Sequence, residues 1–329
     1  MEKRILTGIK PTGNLHLGNY IGVLRRLKTL QETGDCFIFI ADLHALTLPI
    51  DPEVLRQNSI DIAAFYLAAG LDPEKATLFL QSSVSAHGEV NAILQNYLYM
   101  GELSRMTQFK DISSKMKDSK IGLGIFAYPV LMAGDIILYD ADVVPVGEDQ
   151  TQHVEIARDL VNRFNHRYGE ILKMPRAEVS KVGKRIMSLS DPTTKMSKSD
   201  PKGDIFLKDD VKVIRKKIMS AVTDLGCEVK YDPENKPGIS NLLTIYSCAT
   251  NTPISELEAK YENSGYGVFK NDVADAVVNL LIPIQEKYNY YLNSKELDEI
   301  LDNGRDKAAY FARKTLSKMK RKMGINRKK

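Results

Sequence analysis

The first 41 residues constrain the fold most. They hold an apolar run at 5–9, a turn rich in proline and glycine, an amphipathic stretch at 20–30, and a second apolar run at 36–41. The runs read as short buried strands and the stretch between them as a helix. Two strands joined through a helix lie parallel with a right-handed crossover, so the chain belongs to the α/β class. The alternation continues. Asp51-Pro52-Glu53 supplies a cap, a first-position proline and an early acid for a helix that Gly70 stops. A short helical turn opens at Asp72-Pro73, and then come a strand at 77–81, a helix at 86–99, a strand at 143–146 and a helix at about 149–165. Beyond residue 200 strand signals fade and helices are expected at 209–222, 239–248, 254–261, 268–291 and 294–323. A domain boundary is placed there, and 188–203, dense in Ser, Asp, Pro, Thr and Lys, reads as an exposed mobile loop.

A chain of 329 residues, 43% apolar and 27% charged, has enough core for about two domains. Cys36, Cys227 and Cys248 show no close pairing, so a disulfide framework, a zinc site and a redox motif are not expected. No apolar run approaches the ~20 residues of a membrane span, and the opening residues lack the apolar core of a secretion signal. A reduced, cytoplasmic protein without membrane contact is the expectation. Residues 307–329 hold ten Lys or Arg and no acid; removing those ten from 46 basic residues leaves 36 against 42 acidic ones, a net of −6. The basic tail reads either as a solvated helix end or as a contact for nucleic acid. The chain contains no tryptophan.

Several short segments carry residues suited to chemistry. Lys10-Pro11-Thr12-Gly13-Asn14-Leu15-His16-Leu17-Gly18-Asn19 lies between the first strand and the first helix, where open parallel sheets bind ligands. Its glycines permit close approach of a phosphate and His16 can donate to an anion, although it matches neither the dinucleotide fingerprint nor the P-loop. Lys195-Met196-Ser197-Lys198-Ser199 sets two lysines three apart among hydroxyls, able to close over a polyphosphate. Tyr128, Met132, Asp135 and Tyr139 fall on one side of a helix, so Asp135 projects from an apolar surface and requires a donor, from inside the protein or from a ligand. Gly147-Glu148-Asp149-Gln150 follows a strand, which fits Asp149 as a helix cap or as a partner of a nucleoside hydroxyl or Mg²⁺. His44, in Asp42-Leu43-His44 after the second strand, suits the same face or the core.

The His-x-Gly turn paired with Lys-Met-Ser-Lys-Ser late in one α/β domain is the double signature of class I aminoacyl-tRNA synthetases, which the chain resembles. Within that class it is similar to the bacterial tryptophanyl-tRNA synthetases. The likeness rests on Gly-Asn-Tyr-Ile-Gly at 18–22, Arg105-Met106-Thr107-Gln108-Phe109-Lys110, Gly147-Glu148-Asp149-Gln150, Arg185-Ile186-Met187-Ser188-Leu189, Lys236-Pro237-Gly238-Ile239-Ser240-Asn241 and Gly265-Tyr266-Gly267-Val268-Phe269-Lys270. These segments span nearly the whole chain.

The resemblance implies a Rossmann-type parallel-sheet catalytic domain at 1–200 ending in the Lys-Met-Ser-Lys-Ser loop. It also implies a smaller all-helical anticodon-recognition domain at 201–293, a basic helix and tail at 294–329, and a homodimer. The implied reaction joins L-tryptophan to ATP carrying Mg²⁺, releases pyrophosphate, and passes tryptophan to tRNA(Trp). Lys10, Pro11, Thr12, His16, Gly18 and Asn19 would meet ATP; Gly147, Glu148, Asp149 and Ile186 would hold adenine and ribose; Lys195, Met196, Ser197, Lys198 and Ser199 would hold the phosphates. Lys195, Lys198 and His16 would be catalytic, acting by electrostatics on the departing pyrophosphate. Asp135 would accept the indole N–H in a pocket shaped by Leu6, Tyr128, Met132, Val144 and Val146, with His44 and Gln150 at the amino and carboxylate end. No protein-bound metal is expected. With only Cys227 and Cys248 in the helical part, the iron–sulfur cluster of some members has no ligands. Lys10-Pro11-Thr12-Gly13 stands where many members have Gln-Pro-Ser-Gly, which adds a charge at position 10. Three other readings stay open at this point: a tyrosyl enzyme of the same fold, a synthetase-like nucleic-acid-binding protein without catalysis, and a small-molecule nucleotidyltransferase.

Overall fold

A computed structural model describes residues 2–114, 121–179, 185–197 and 200–327. Five parallel strands, β1 (Arg4–Ile9), β2 (Asp35–Ile40), β3 (Ala76–Leu80), β4 (Val143–Val146) and β5 (Arg176–Val179), form one sheet in the order β3-β2-β1-β4-β5. The chain builds outward from β1 to β3, then returns to the other side of β1 for β4 and β5. Its switch point therefore lies between β1 and β4, where the carboxyl ends leave a crevice. β5 was not expected from the sequence, because a four-residue Arg-Ala-Glu-Val strand at an edge, mostly exposed, lacks the apolar run that marked the others.

Alternate side chains of the strands enter two cores. Ile5, Cys36, Ile38, Ile40, Leu78 and Val143 face one side, against the Pro52–Ala68 helix and the helices from Val211–Met219 to Tyr266–Leu292. Leu6, Phe37, Phe39, Phe79, Val144 and Val146 face the other, against the helices Ala86–Leu94, Leu123–Leu138 and Thr151–Tyr168. That second core also takes in Ala308, Ala312, Leu316 and Met319 of the terminal helix Glu296–Met323. The last helix thus returns to the sheet that the chain began with, its Leu297 and Leu301 in the first core and its later turns in the second.

Gly304 allows this return, since a Cβ there would lie 1.8 Å from the Leu78 carbonyl oxygen of β3. The charge gradient of the terminal helix also has a local cause: Glu296, Asp298 and Glu299 occupy its first turn and Lys320, Arg321 and Lys322 its last, complementing the helix dipole. Part of the basic tail is paired with the body through Lys307–Asp35 at 3.5 Å, Lys318–Asp140 at 3.6 Å and Lys320–Glu89 at 2.6 Å.

The first helix starts earlier than its periodicity suggested. A turn at Leu17–Asn19 runs into a π-helical segment at Tyr20–Leu24 and an α-helix at Arg25–Leu30. The expected helix at 86–99 ends sooner, at Leu94, with a 3₁₀ turn at Gln95–Tyr97. Among the described residues no helix is long and apolar enough to cross a membrane.

Candidate active site

A cavity of about 760 Å³ opens at the switch point. Its wall includes Leu6, His44, Tyr128, Met132, Asp135, Val144, Val146 and Gln150, all eight residues read from the sequence as a tryptophan pocket. Of the residues read as ATP contacts, Lys10 and Gly147 line it. It continues past Gly8 and Phe39 toward Arg26 of the first helix and Glu178 of β5.

Asp135 has no exposed surface. Burial pushes its carboxyl upward, but hydrogen bonds from His44 and His87 more than reverse this and hold it below the usual range. His44 Nε2 lies 2.8 Å from Oδ2, His87 Nδ1 2.7 Å from Oδ1, and Gln81 Nε2 donates to both oxygens at 2.9 and 3.0 Å. The internal partners are therefore two histidines and an amide rather than the tyrosine or arginine that a buried carboxylate more often finds. His87 Nε2 in turn meets the Tyr139 hydroxyl at 2.8 Å. Gly134 lets this helix approach the one bearing His87, because a Cβ there would stand 2.8 Å from Val90 Cγ1. His44, assigned by resemblance to the amino and carboxylate end, has its Nε2 committed to Asp135; its Nδ1 is buried without a hydrogen-bond partner.

A second chain of contacts shapes the mouth. Tyr128 Oη donates to Gln108 Oε1 at 2.7 Å and lies 2.8 Å from His153 Nε2. Burial first, then the charges of Lys10 and His44, push His153 down to about 4, so its ring is neutral near pH 7 and presents Nε2–H to Tyr128. Burial, with help from Asp149, pushes Tyr128 up to about 12 and keeps its hydroxyl protonated. Lys10 Nζ stands 5.1 Å from the Tyr128 ring centre, its ammonium pulled below the ordinary range by burial. Asp149 does not cap the Thr151–Tyr168 helix; it accepts from Gln150 Nε2 at 2.8 Å and Gln108 Nε2 at 3.2 Å.

The phosphate signatures are organised mainly by backbone. Leu17 N donates to Ile205 O and Leu207 N to Leu15 O, while Ser188 N donates to Thr194 O and Met196 N to Ile186 O. His16 pairs with Phe206 and Met187 with Lys195 across isolated bridges. Both signature segments are thus anchored to chain on either side of the Asp200–Asp204 turn. His16 N also donates to Asn19 Oδ1 at 3.1 Å. Ile186 is buried, with its Cβ 3.6 Å from where a Gly18 Cβ would sit.

Ser197 N donates to Asp204 Oδ2, whose carboxyl burial pushes upward; Ser190 and Ser188 hydroxyls donate to Asp200. Among the described residues of 188–203, Ser190, Asp191, Thr193, Thr194, Lys195, Pro201 and Lys202 are exposed, while Ser188, Leu189 and Met196 are buried and Asp200 and Asp204 accept hydrogen bonds from the segment. Lys195 is exposed. Lys198 and Ser199 lie outside the described residues. Pro11, Thr12, His16, Gly18, Asn19, Glu148, Asp149, Ile186 and Lys195 to Ser197 do not line the cavity. Among the described residues no group of three His, Cys, Asp or Glu side chains is placed to hold a metal ion.

Sequence reasoning missed Gln81 and His87. Gln81 directly follows β3, so a search of every strand's carboxyl end would have raised it; no local signal distinguished His87 from a core histidine.

The model of the tRNA synthetases of class I (W and Y) matches residues 2–282. The chain is 54% identical to a tryptophan–tRNA ligase of Listeria monocytogenes over 332 residues, covering 100% of this chain and 99% of the relative. It is 53% identical over 330 residues to that of Bacillus subtilis, with 100% and 99% covered. The structure of tryptophanyl-tRNA synthetase from Campylobacter jejuni, complexed with ADP and tryptophan, superimposes with a TM-score of 0.87 at 39% identity, covering 98% of this chain and 99% of that one.

Proposed function

The chain belongs to the class I tRNA synthetases of the tryptophan and tyrosine group, and from that premise we propose that it activates tryptophan with ATP and transfers it to tRNA(Trp). The observation that carries this reading is the cavity at the switch point, whose wall includes all eight expected residues, Asp135 among them.

In the first step a carboxylate oxygen of tryptophan attacks the α-phosphorus of ATP. The bond from that phosphorus to the bridging oxygen breaks, giving tryptophanyl-adenylate and pyrophosphate. In the second, a terminal ribose hydroxyl of the tRNA attacks the acyl carbon and AMP leaves. Mg²⁺ enters with the nucleotide as part of the substrate. Lys195 and Lys198, with His16, meet charge developing on the leaving pyrophosphate, which lowers the barrier by electrostatics without covalent catalysis. Lys10, Pro11, Thr12, Gly18 and Asn19 form the turn against ATP, and Gly147, Glu148, Asp149 and Ile186 flank adenine and ribose. Met196, Ser197 and Ser199 complete the phosphate loop. Gln150, oriented by Asp149 beside Gln108, faces the amino-acid head group.

Asp135 favours indole over phenol. An indole N–H only donates, which a carboxylate acceptor satisfies, whereas a phenol oxygen also needs a donor, and Gln81 and His87 stay engaged with Asp135. Leu46, Leu48, Tyr99, Met100 and Leu123 are exposed apolar side chains available to a homodimer contact. ATP and tRNA as substrates support a cytoplasmic location.

ATP–pyrophosphate exchange measured with each amino acid in turn tests the proposal. Exchange with tryptophan alone is expected; exchange driven by tyrosine, or by no amino acid, overturns it.

A further inference from the structure

Building on the tryptophan reading, we propose that His87, backed by Tyr139, and Gln81 are positioning residues for indole recognition. They hold Asp135 so that only its Oδ2 is open to exchange, and the substrate N–H takes the place of His44 Nε2–H there.

Asp135 is fully buried, and three donor side chains make four contacts to its carboxylate, the Gln81 nitrogen bridging both oxygens. Oδ1 takes His87 and Gln81, and Oδ2 takes His44 and Gln81. A further donor can enter only if one of these leaves. Of the three donor residues His44 alone lines the cavity, while His87 and Gln81 have no exposed surface. The exchangeable contact is therefore the one from His44 to Oδ2.

His87 is fixed on every side. Its ring lies 5.6 Å from that of Tyr139, 6.1 Å from Phe39 and 6.3 Å from Phe79. Burial raises the Tyr139 phenol, so its hydroxyl keeps its proton and can donate a hydrogen bond to an unprotonated His87 Nε2. The remaining ring proton then sits on Nδ1, directed at Asp135. Tyr139 itself is locked by stacking on Phe37 at 5.1 Å. The relay from hydroxyl to imidazole to carboxylate orients the acceptor before substrate arrives, which is what high selectivity for one donor requires.

The titratable groups facing Asp135 are His44, His87 and Tyr139. Loss of the His87 bond removes one of the contacts holding the carboxylate in its ionised form, so the acid limb of kcat/KM for tryptophan should move to higher pH.

The test compares tryptophan with 3-benzothienylalanine, an isostere bearing sulfur in place of the indole N–H, by kcat/KM in pyrophosphate exchange. Wild type should prefer tryptophan strongly. His87→Leu should cut that preference about tenfold to a hundredfold and move the acid limb upward, as expected for a disturbed buried hydrogen bond. His87→Asn, whose amide can replace the Nδ1 donor, should restore most of the preference. Tyr139→Phe, which keeps the ring and the packing, should lower it several-fold and provides the answer if His87→Leu does not fold. Unchanged ratios and pH profiles in folded His87→Leu or Tyr139→Phe overturn the positioning role while leaving tryptophan activation intact. A wild-type enzyme without tryptophan-dependent exchange overturns the functional reading itself.

Discussion

Asp135, at the amino-acid end of the cavity, meets three donor side chains within 3.0 Å and has no exposed surface. Lys195, proposed to meet the phosphates and lying outside the cavity wall, is exposed, and its neighbours Met196 and Ser197 are held through backbone bonds and Asp204. The first arrangement spends its polar groups on one another before substrate arrives, so it can reject a ligand that offers the wrong hydrogen-bonding edge. The second fixes the backbone and leaves the lysine side chain available to meet charge that develops only during reaction. Under the proposed function, selectivity and rate enhancement lie at separate places and should respond separately to mutation.

The largest expected effect is at the phosphate end. Lys195→Ala should lower the rate of tryptophan-dependent pyrophosphate exchange by on the order of 10²–10³-fold, while KM for tryptophan stays within about twofold. A rate unchanged from wild type would break the contrast between the two ends. Asp135→Ala should leave the donors of His44, His87 and Gln81 without their acceptor. Chemical denaturation should then show a stability loss of about 1–3 kcal/mol for each donor left bare, with weaker preference for tryptophan. If stability holds and tryptophan KM is unaltered, the amino-acid end is not prebuilt in the sense argued.

The smallest effect concerns His153. Its folded value of about 4 lies below its ordinary 6.5, so the unfolded chain binds the proton more readily. Stability should therefore be full above about pH 6.5 and fall as pH drops toward 4, by on the order of 2–3 kcal/mol. His153→Gln, which can still donate to Tyr128, should flatten that slope in melts recorded across the interval. A slope identical to wild type would show that another group controls acid sensitivity.

Much of this design was legible in sequence because it depends on local order. Strands β1 to β4 announced themselves as apolar runs, and Asp51 caps the Pro52–Ala68 helix through the amides of Glu53 and Val54, as its position before a proline implied. Asp135 stood out because one carboxylate interrupts an apolar helix face. The partners of Asp135 were not legible, since His44, Gln81 and His87 converge from segments 48 to 91 residues away in the chain. Composition indicated exposure at 188–203 but not the local hydrogen bonds there, in which Ser188, Ser190 and Ser197 donate to Asp200 and Asp204. β5 escaped notice because an edge strand of four residues need not be apolar.

The docking of Glu296–Met323 against β3 through Gly304 also bears on how the chain is made. The strand it covers emerges from the ribosome more than two hundred residues before the helix that covers it. During that interval the face bearing Phe37 and Phe79 lacks its last cover. The sheet can be assembled early, but its second core is sealed only once Glu296–Met323 has been made. A chain cut short before residue 296 would therefore keep both signature segments and the whole cavity wall while carrying an uncovered apolar surface, and it would be prone to association rather than simply reduced in activity.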